Sequence, residues 1–461
     1  MLDSRSPAHP GQVLATFPDQ QPDEVSRVVA AARQAAAGWA ATPALARSQA
    51  LQAAADALAG AAAELTEVGI AEVGKPRAEM TAEVARGVAI LRYYAQAALD
   101  PDGDTLPSAD GRSLLISRHR PVGVAGLITP WNFPVAIPLW KAAPALAYGN
   151  AVVWKPAPAA TATGRRLAAL LAGALPAGVL SLVTGNAAAG QGLVQSADVI
   201  SFTGSAAVGR LVAVQAASRG IQAQAEMGGQ NPAVILPGAD LEFSARTIAQ
   251  AAMGYAGQKC TATSRVIVVG GPAAAAEAAE ALASSVGGLP VGDPAESATV
   301  VGPVISEAAR QRVVDAAAEA SAGGGRVLTG GDPVDGDGFF VRPVLAAGVD
   351  PSARIAQEEI FGPFAVILTA RDDDEALRIA NGVPYGLAAS VFTTDLDRAL
   401  RFAAELDAGL VRVNGPTSGV DFNAPFGGVK DSSIGPREQG KAARDFYTVT
   451  QTTTFSPGRP G

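Results

Sequence analysis

Cys260 is the only cysteine of the chain and stands in GYAGQKCTATSRV. A lone thiol forms no intrachain disulfide. A Gly-Gln-Lys approach and a Thr-Ala-Thr exit are not an aliphatic core run, so the thiol reads as a nucleophile. Upstream, Asn132 in TPWNFP offers an amide NH₂ that can receive charge on an oxygen. Glu226 in AEMGGQNP offers a carboxylate that can act as a base. Thiol, amide and carboxylate are the parts of a covalent acyl chemistry: attack on a carbonyl, a stabilised oxyanion, and hydrolysis of the thioester. The thiolate is the reactive form and is a minority species near neutrality. Local N–H groups or a transient base must therefore help.

Positioning those groups takes a large α/β chain. Residues 24 to 98 read as alanine-rich helices with large apolar residues at helical spacing. Strand-like runs then alternate with helices: SLLISRHR, VGVAGLITP, a helical stretch near Ala136 to Ala147, NAVVWKP, GRRLAALLAGAL, VLSLVTG, GQGLVQSA, DVISFTG, AVGRLVAVQAAS and AQAEM. This alternation predicts a doubly wound parallel sheet. A second α/β region follows, with strands expected at NPAVILP, SRVIVVG, VGPVI, GRVLTGG, FFVRPVLA, FAVILTA and AASVFTT. Helices are expected at SARTIAQAAMGYAG, SEAARQRVVDAAAEASA and DRALRFAAEL. SLLISRH and the tail YTVTQTTTFSP read as exposed edge strands needing a partner, which another subunit would supply.

Bulk composition narrows the class. With 461 residues, 48% hydrophobic and 17% charged, the chain is globular and too long for one ordinary core. A formal net charge of -8 argues against nucleic-acid binding and a polybasic membrane surface. No secretory signal or bilayer span is expected, which with a single thiol predicts a reducing cytoplasm. His9 and His119, with no second cysteine, leave little for a transition-metal site, so none is expected.

Several segments could hold a nucleotide. In VISFTGSAAVG, Gly204 lies at a strand-to-helix turn and Ser205 at the helix start, where free N–H groups favour a phosphate. The usual G-x-G-x-x-G is missing. Lys155 follows directly on a strand in VVWKPAP and would point into a ligand crevice. In EEIFGPF, Glu359 could hold a ribose and Phe361 could pack beside a nicotinamide.

Together TPWNFP, KPAP, FTGSAAVG, EMGGQNP, GQKC, EEIFGPF and PFGGVKDSSIG, in this order, resemble the NAD(P)-dependent aldehyde dehydrogenase superfamily. The resemblance implies a Rossmann-like nucleotide-binding domain (1–100 and 122–228), an α/β catalytic domain (229–442) and a small β oligomerisation element (101–121 and 443–461). It implies a homo-oligomer, a dimer or a dimer of dimers. It also implies that Cys260, Glu226 and Asn132 are catalytic, that Lys155 contacts the adenosine ribose, and that Gly204 and Ser205 lie at the pyrophosphate. Glu359 would bind the nicotinamide ribose, with Trp131 and Phe361 along the cofactor channel. Strictly NAD-preferring relatives carry an acid where this chain has Pro158. Its absence removes a ligand for the 2′-hydroxyl and a repulsion against a 2′-phosphate, so either NADP or NAD is expected.

The stretch VNGPTSGVDFNAPFGGVKDSSIGPREQG resembles the branch that oxidises α-ketoglutaric semialdehyde (2,5-dioxopentanoate), except that Asn423 replaces a frequent histidine. Other small aldehydes stay open as substrates, succinic and glutaric semialdehyde among them. Phe133, Ile137 and Trp140, at helical spacing after Asn132, are expected to wall the substrate tunnel. Arg92 and Lys259 are the cations considered for a distal carboxylate. The rival readings are a coenzyme A-acylating dehydrogenase, which would need no water-activating Glu226, and a nucleotide-binding protein without catalysis.

Overall fold

The computed structural model describes residues 1–458 and is built on two sheets. The first is six-stranded, in the order Ser433–Ile434, Gln222–Glu226, Val199–Thr203, Val124–Thr129, Ala151–Pro156, Leu180–Leu182. All its pairings are parallel except that of Ser433–Ile434 with Gln222–Glu226. AVVWKP is buried at every position, as expected of a strand covered on both faces. Alternation along the strands divides the packing. Val124 and Val153 face the layer of helices Pro22–Ala41, Ala187–Ser196 and Ala206–Ser218. Ala125, Val152 and Trp154 face helices Ala44–Gly60, Arg77–Ala97, Ala136–Ala147 and Thr161–Ala172.

Strand order explains where a ligand can sit. From Val124–Thr129 the chain crosses to Ala151–Pro156 and Leu180–Leu182 on one side. It then returns to Val199–Thr203 and Gln222–Glu226 on the other. That reversal opens a crevice beyond the carboxyl ends of the strands.

The second sheet is seven-stranded: Arg326–Thr329, Val344–Ala347, Phe364–Ala370, Thr263–Val269, Asn231–Ile235, Ala388–Phe392, Leu410–Val413. It has its own apolar core, which includes Val266, Ile267, Val366 and Phe402. VGPVI is not a strand: Val301 makes a single bridge to Val291, and Gly302-Pro303 ends the pairing at once. Helices Gly271–Gly287 and Asp373–Asn381 were not foreseen; the first is nearly all small residues and the second is short and acidic at its start.

The two edge strands find each other within one chain. Thr448–Phe455 runs antiparallel to Leu114–Pro121 over its whole length, from Thr448 opposite Pro121 to Phe455 opposite Leu114. Thr105–Leu106 completes the three-stranded sheet. The expectation that these strands need another subunit for pairing is corrected: an eight-residue intrachain ladder satisfies their facing backbone groups. Residues 459–461 of the expected oligomerisation element lie outside the described residues. No helix among the described residues is long and apolar enough to cross a membrane.

Candidate active site

The residues singled out by their chemistry gather at the crevice. Trp131 and Asn132 follow strand Val124–Thr129, Lys155 lies near the end of Ala151–Pro156, Gly204 and Ser205 follow Val199–Thr203, and Glu226 ends Gln222–Glu226. The loop ending in Cys260 comes from the other half of the molecule, just before strand Thr263–Val269.

That loop is strained and clamped. Tyr255 (φ 55°), Ala256 (φ 51°) and Gly257 (φ 64°) are consecutive left-handed residues. A Cβ on Gly257 would lie 2.2 Å from the Gly362 carbonyl oxygen, so only glycine fits. Tyr255 is fully buried and donates its hydroxyl to the Val73 carbonyl at 3.1 Å. Asn231 Nδ2 donates to the carbonyls of Cys260 and Ala262, both at 2.8 Å. Gln258 Oε1 accepts from Ile305 N at 2.8 Å. Thr417 Oγ1 donates to the Thr261 carbonyl at 2.7 Å. These contacts give the thiol one position.

Burial pushes the Cys260 thiol up to about 12, with the Glu359 and Glu226 carboxylates adding to the rise. The backbone N–H groups of Cys260 and Thr261 pull the other way. Cys260 is nonetheless partly exposed, so it can be reached. The sulfur is therefore stored as a neutral thiol.

Asn132 is buried, and its Nδ2 donates to the Gln258 carbonyl at 2.9 Å. That bond uses one of the two amide hydrogens and leaves the other free. Its Oδ1 is buried with no partner among the described residues. The segment that follows is anchored by Glu83, whose Oε1 accepts from Val135 N at 2.8 Å and Ala136 N at 2.9 Å. The other Glu83 oxygen pairs with Lys75, and both side chains are buried. Lys75 Nζ also lies 3.6 Å from the centre of the Phe133 ring. Lys75, in the Gly74–Pro76 turn between two helices, and Glu83, on helix Arg77–Ala97, were missed because both lie in an ordinary-looking helical region far from Asn132 in sequence.

Glu226 is buried and bonded through Oε2 to Ser433, while Oε1 has no partner among the described residues. Burial raises its pKa well above the ordinary carboxylate range, and repulsion from Glu438 adds to that. In its ionised form such a carboxylate is a stronger base than an exposed one. Beside it lies a buried network. Lys141 Nζ pairs with Glu438 and donates to Ser201 Oγ at 2.8 Å, and Trp140 Nε1 donates to Glu438 Oε2 at 2.7 Å. The visible sign of Lys141 was a lysine inside an otherwise apolar helix.

Among the residues expected to hold a nucleotide, Lys155 is buried and donates to the carbonyls of Gly185 (2.8 Å) and Pro156 (3.1 Å). One of its three donors stays available. Burial lowers its pKa to about 8, with the Asp19 carboxylate opposing the fall. Pro158 opens a 3₁₀ turn, Pro158–Ala160, and presents no acid. Ser205 caps helix Ala206–Ser218 without bonding its side chain to the first turn, so that turn keeps free N–H groups. The neighbouring Thr203 Oγ1 is buried and unpartnered among the described residues. An orphaned hydroxyl beside an open helix start fits a phosphate-bearing ligand. Glu359 Oε1 accepts from Gly229 N at 3.2 Å, and burial raises its carboxyl to about 7. A Cβ on Gly228 would lie 2.0 Å from Glu359 Oε2, so the first glycine of EMGGQNP is what lets this acid approach. Phe361, at φ 52°, meets the Trp131 ring edge-on with centres 5.8 Å apart.

A cavity of about 220 Å³ opens beside Cys260. Its walls include Phe133 and Trp140, helix residues Glu79, Glu83 and Arg86, and the loop Ser418–Val420. Ile137 does not line it and belongs to the apolar core. On the helix it is turned roughly 60° away from Trp140, which takes it off the cavity face. Arg92 also lies elsewhere, paired with Asp56 at 3.1 Å in solvent. Lys259 lines the cavity but is paired with Glu79 at 2.8 Å. Asn423 is exposed and outside the cavity, so that departure from the branch pattern leaves the walls unchanged.

Residues 1–453 match the aldehyde dehydrogenase family. The chain is 40% identical to an α-ketoglutaric semialdehyde dehydrogenase of Bacillus subtilis, over 99% of this chain and 95% of that protein. It is also 40% identical to an α-ketoglutarate semialdehyde dehydrogenase of Haloferax volcanii, over 97% and 94%. A crystal structure of an NAD-dependent aldehyde dehydrogenase from Sinorhizobium meliloti superposes with a TM-score of 0.96 at 34% identity, covering 100% of this chain and 92% of that one. The chain belongs to the aldehyde dehydrogenase family and has its fold; oxidation of an aldehyde is its class of reaction.

Proposed function

We propose that this protein oxidises a short aldehyde with a distal carboxylate, α-ketoglutaric semialdehyde foremost, to the corresponding acid, using NAD or NADP. The observation that carries the reading is Cys260 in the cavity wall, with the buried Asn132 amide bonded to the Gln258 carbonyl two residues before it and the buried Glu226 carboxylate close enough to raise the thiol's pKa; neither Asn132 nor Glu226 lines the cavity itself. The names of the relatives support the substrate class.

The Cys260 thiol passes its proton to the Glu226 carboxylate, which releases it to solvent, and the sulfur bonds to the carbonyl carbon. The carbonyl oxygen becomes negative and is received by the free Asn132 N–H and the Cys260 backbone N–H. Hydride leaves the carbon and a thioester remains on Cys260. A nicotinamide cofactor, when bound, would supply the hydride acceptor, and Lys155, Ser205, Glu359, Trp131 and Phe361 are the residues that would hold it. Glu226 then takes a proton from water, the resulting hydroxide attacks the thioester carbon, and the acid leaves as the Cys260 thiolate is released.

Residues 1–100 and 122–228 form the nucleotide-binding domain in this reading, and 229–442 the catalytic domain. Residues 101–121 and 443–461 join subunits into a dimer or a dimer of dimers in the cytoplasm. The test compares kcat/KM for 2,5-dioxopentanoate with that for an uncharged aldehyde of equal length, with each cofactor. A clear preference for the carboxylate supports the substrate reading, and a clear preference for the uncharged aldehyde overturns it.

A further inference from the structure

The charges around the substrate cavity do not cancel. Glu79 is neutralised by Lys259 at 2.8 Å. Glu83 is neutralised by Lys75 and has its other oxygen bonded to backbone N–H groups. Arg86 lines the same cavity and is half-buried. Among the described residues it has no carboxylate within 4.0 Å and no hydrogen bond to the protein. Glu79, Ala82, Glu83 and Arg86 fall at i, i+3, i+4 and i+7 on helix Arg77–Ala97, so the helix turns one face to the cavity. The loop that contributes to the same wall, Ser418, Gly419 and Val420, carries no charge. One positive charge is left over, beside an aldehyde-reactive thiol.

We propose that Arg86 is the specificity-determining residue that receives the distal carboxylate of the substrate. Its planar guanidinium can bond both carboxylate oxygens at once, and a carboxylate entering a partly closed cavity is costly unless such a partner meets it. Lys259 cannot take this role without leaving Glu79 unpaired. Lys75 is fully buried and holds Glu83. The inference rests on the reading of an anionic aldehyde given above, and it goes further by naming the residue that reads the anion.

The experiment measures kcat/KM for 2,5-dioxopentanoate and for an uncharged aldehyde of equal length in the wild type, Arg86→Met and Arg86→Lys. Melting temperatures identify any variant that fails to fold. The ratio of the two values should fall roughly 30-fold in Arg86→Met, the scale of one charge-assisted contact, mainly through KM. Arg86→Lys keeps the charge and loses the fork, so its ratio should be intermediate. A wild type without preference for the carboxylate overturns the substrate reading and this inference with it. A wild-type preference that survives in both Arg86 variants, or that is lost in Lys259→Met and kept in Arg86→Met, overturns the inference alone.

Discussion

The two sides of Cys260 are built differently. The nucleotide side is made of short motifs at the ends of parallel strands, where glycines, backbone N–H groups and a few fixed side chains converge. The substrate side gathers a helix face, residues 79 to 86, the rings of Phe133, Trp140 and Phe426, and a loop, residues 418 to 420, distant from one another in sequence. In the proposed reading the nucleotide side holds an unvarying ligand, and a strand end delivers that geometry locally. The substrate side is decided by tertiary packing, so the same fold can change substrates without disturbing the chemistry.

The largest effect expected from a change on the shared boundary is at Asn132. Asn132→Ala should lower kcat by about 100- to 1000-fold, as for removal of an oxyanion donor, with little change in cofactor affinity. Steady-state kinetics with a cofactor titration check it. A variant with near-normal kcat would remove Asn132 from the oxyanion role.

Next comes the buried Lys75–Glu83 pair, the anchor shared by the Asn132 segment and the substrate wall. Lys75→Met or Glu83→Gln alone should cost up to about 3–5 kcal/mol of stability, because each leaves an uncompensated buried partner. The double variant should recover much of that. Denaturant unfolding of all four proteins forms the cycle; additive losses would mean the pair is not coupled.

A smaller effect tests the nucleotide side alone. NADP should be used at least comparably with NAD. Pro158→Glu should move the ratio of kcat/KM toward NAD by restoring an acid near the 2′ position, and leave selectivity between aldehydes in place. A wild type favouring NAD by more than about 100-fold, roughly 2.7 kcal/mol, would show that other contacts decide. Asp19, which already acts on Lys155, would be the first suspect.

The mildest perturbation is pH. The Cys260 pKa is raised to about 12, so the cofactor-free thiol is neutral at pH 7 and gains thiolate as pH rises. Alkylation by iodoacetamide should climb about tenfold per pH unit between about pH 7 and pH 9.5. A plateau near the ordinary thiol value of about 8.5 would contradict a desolvated resting thiol.

The same division explains what the sequence disclosed. Cys260, Asn132, Glu226, Lys155, Ser205 and Glu359 stand in compact motifs whose residue types are costly for a core and apt for chemistry. The parallel sheet that carries most of them was legible from apolar runs ended by turn signals. Ile137 misled because helical spacing fixes a stripe about a third of a turn wide, and only packing says which edge of the stripe meets the cavity. Arg86 and Glu83 were silent because a charged residue in an amphipathic helix ordinarily faces water. SLLISRH and the C-terminal tail were each read as strands, but their mutual pairing lies at long sequence separation and follows from the fold as a whole.

The central claim is that Cys260 carries the acyl group and Glu226 clears it. Mixing Glu226→Gln with aldehyde and cofactor should give a burst of reduced cofactor of up to about one per active site and then a stall, with the acyl group found on Cys260 by intact-mass and peptide mass spectrometry. Cys260→Ala should give no burst and no adduct. Steady turnover at the wild-type rate in Glu226→Gln, or an acyl group on any residue other than Cys260, would contradict the account.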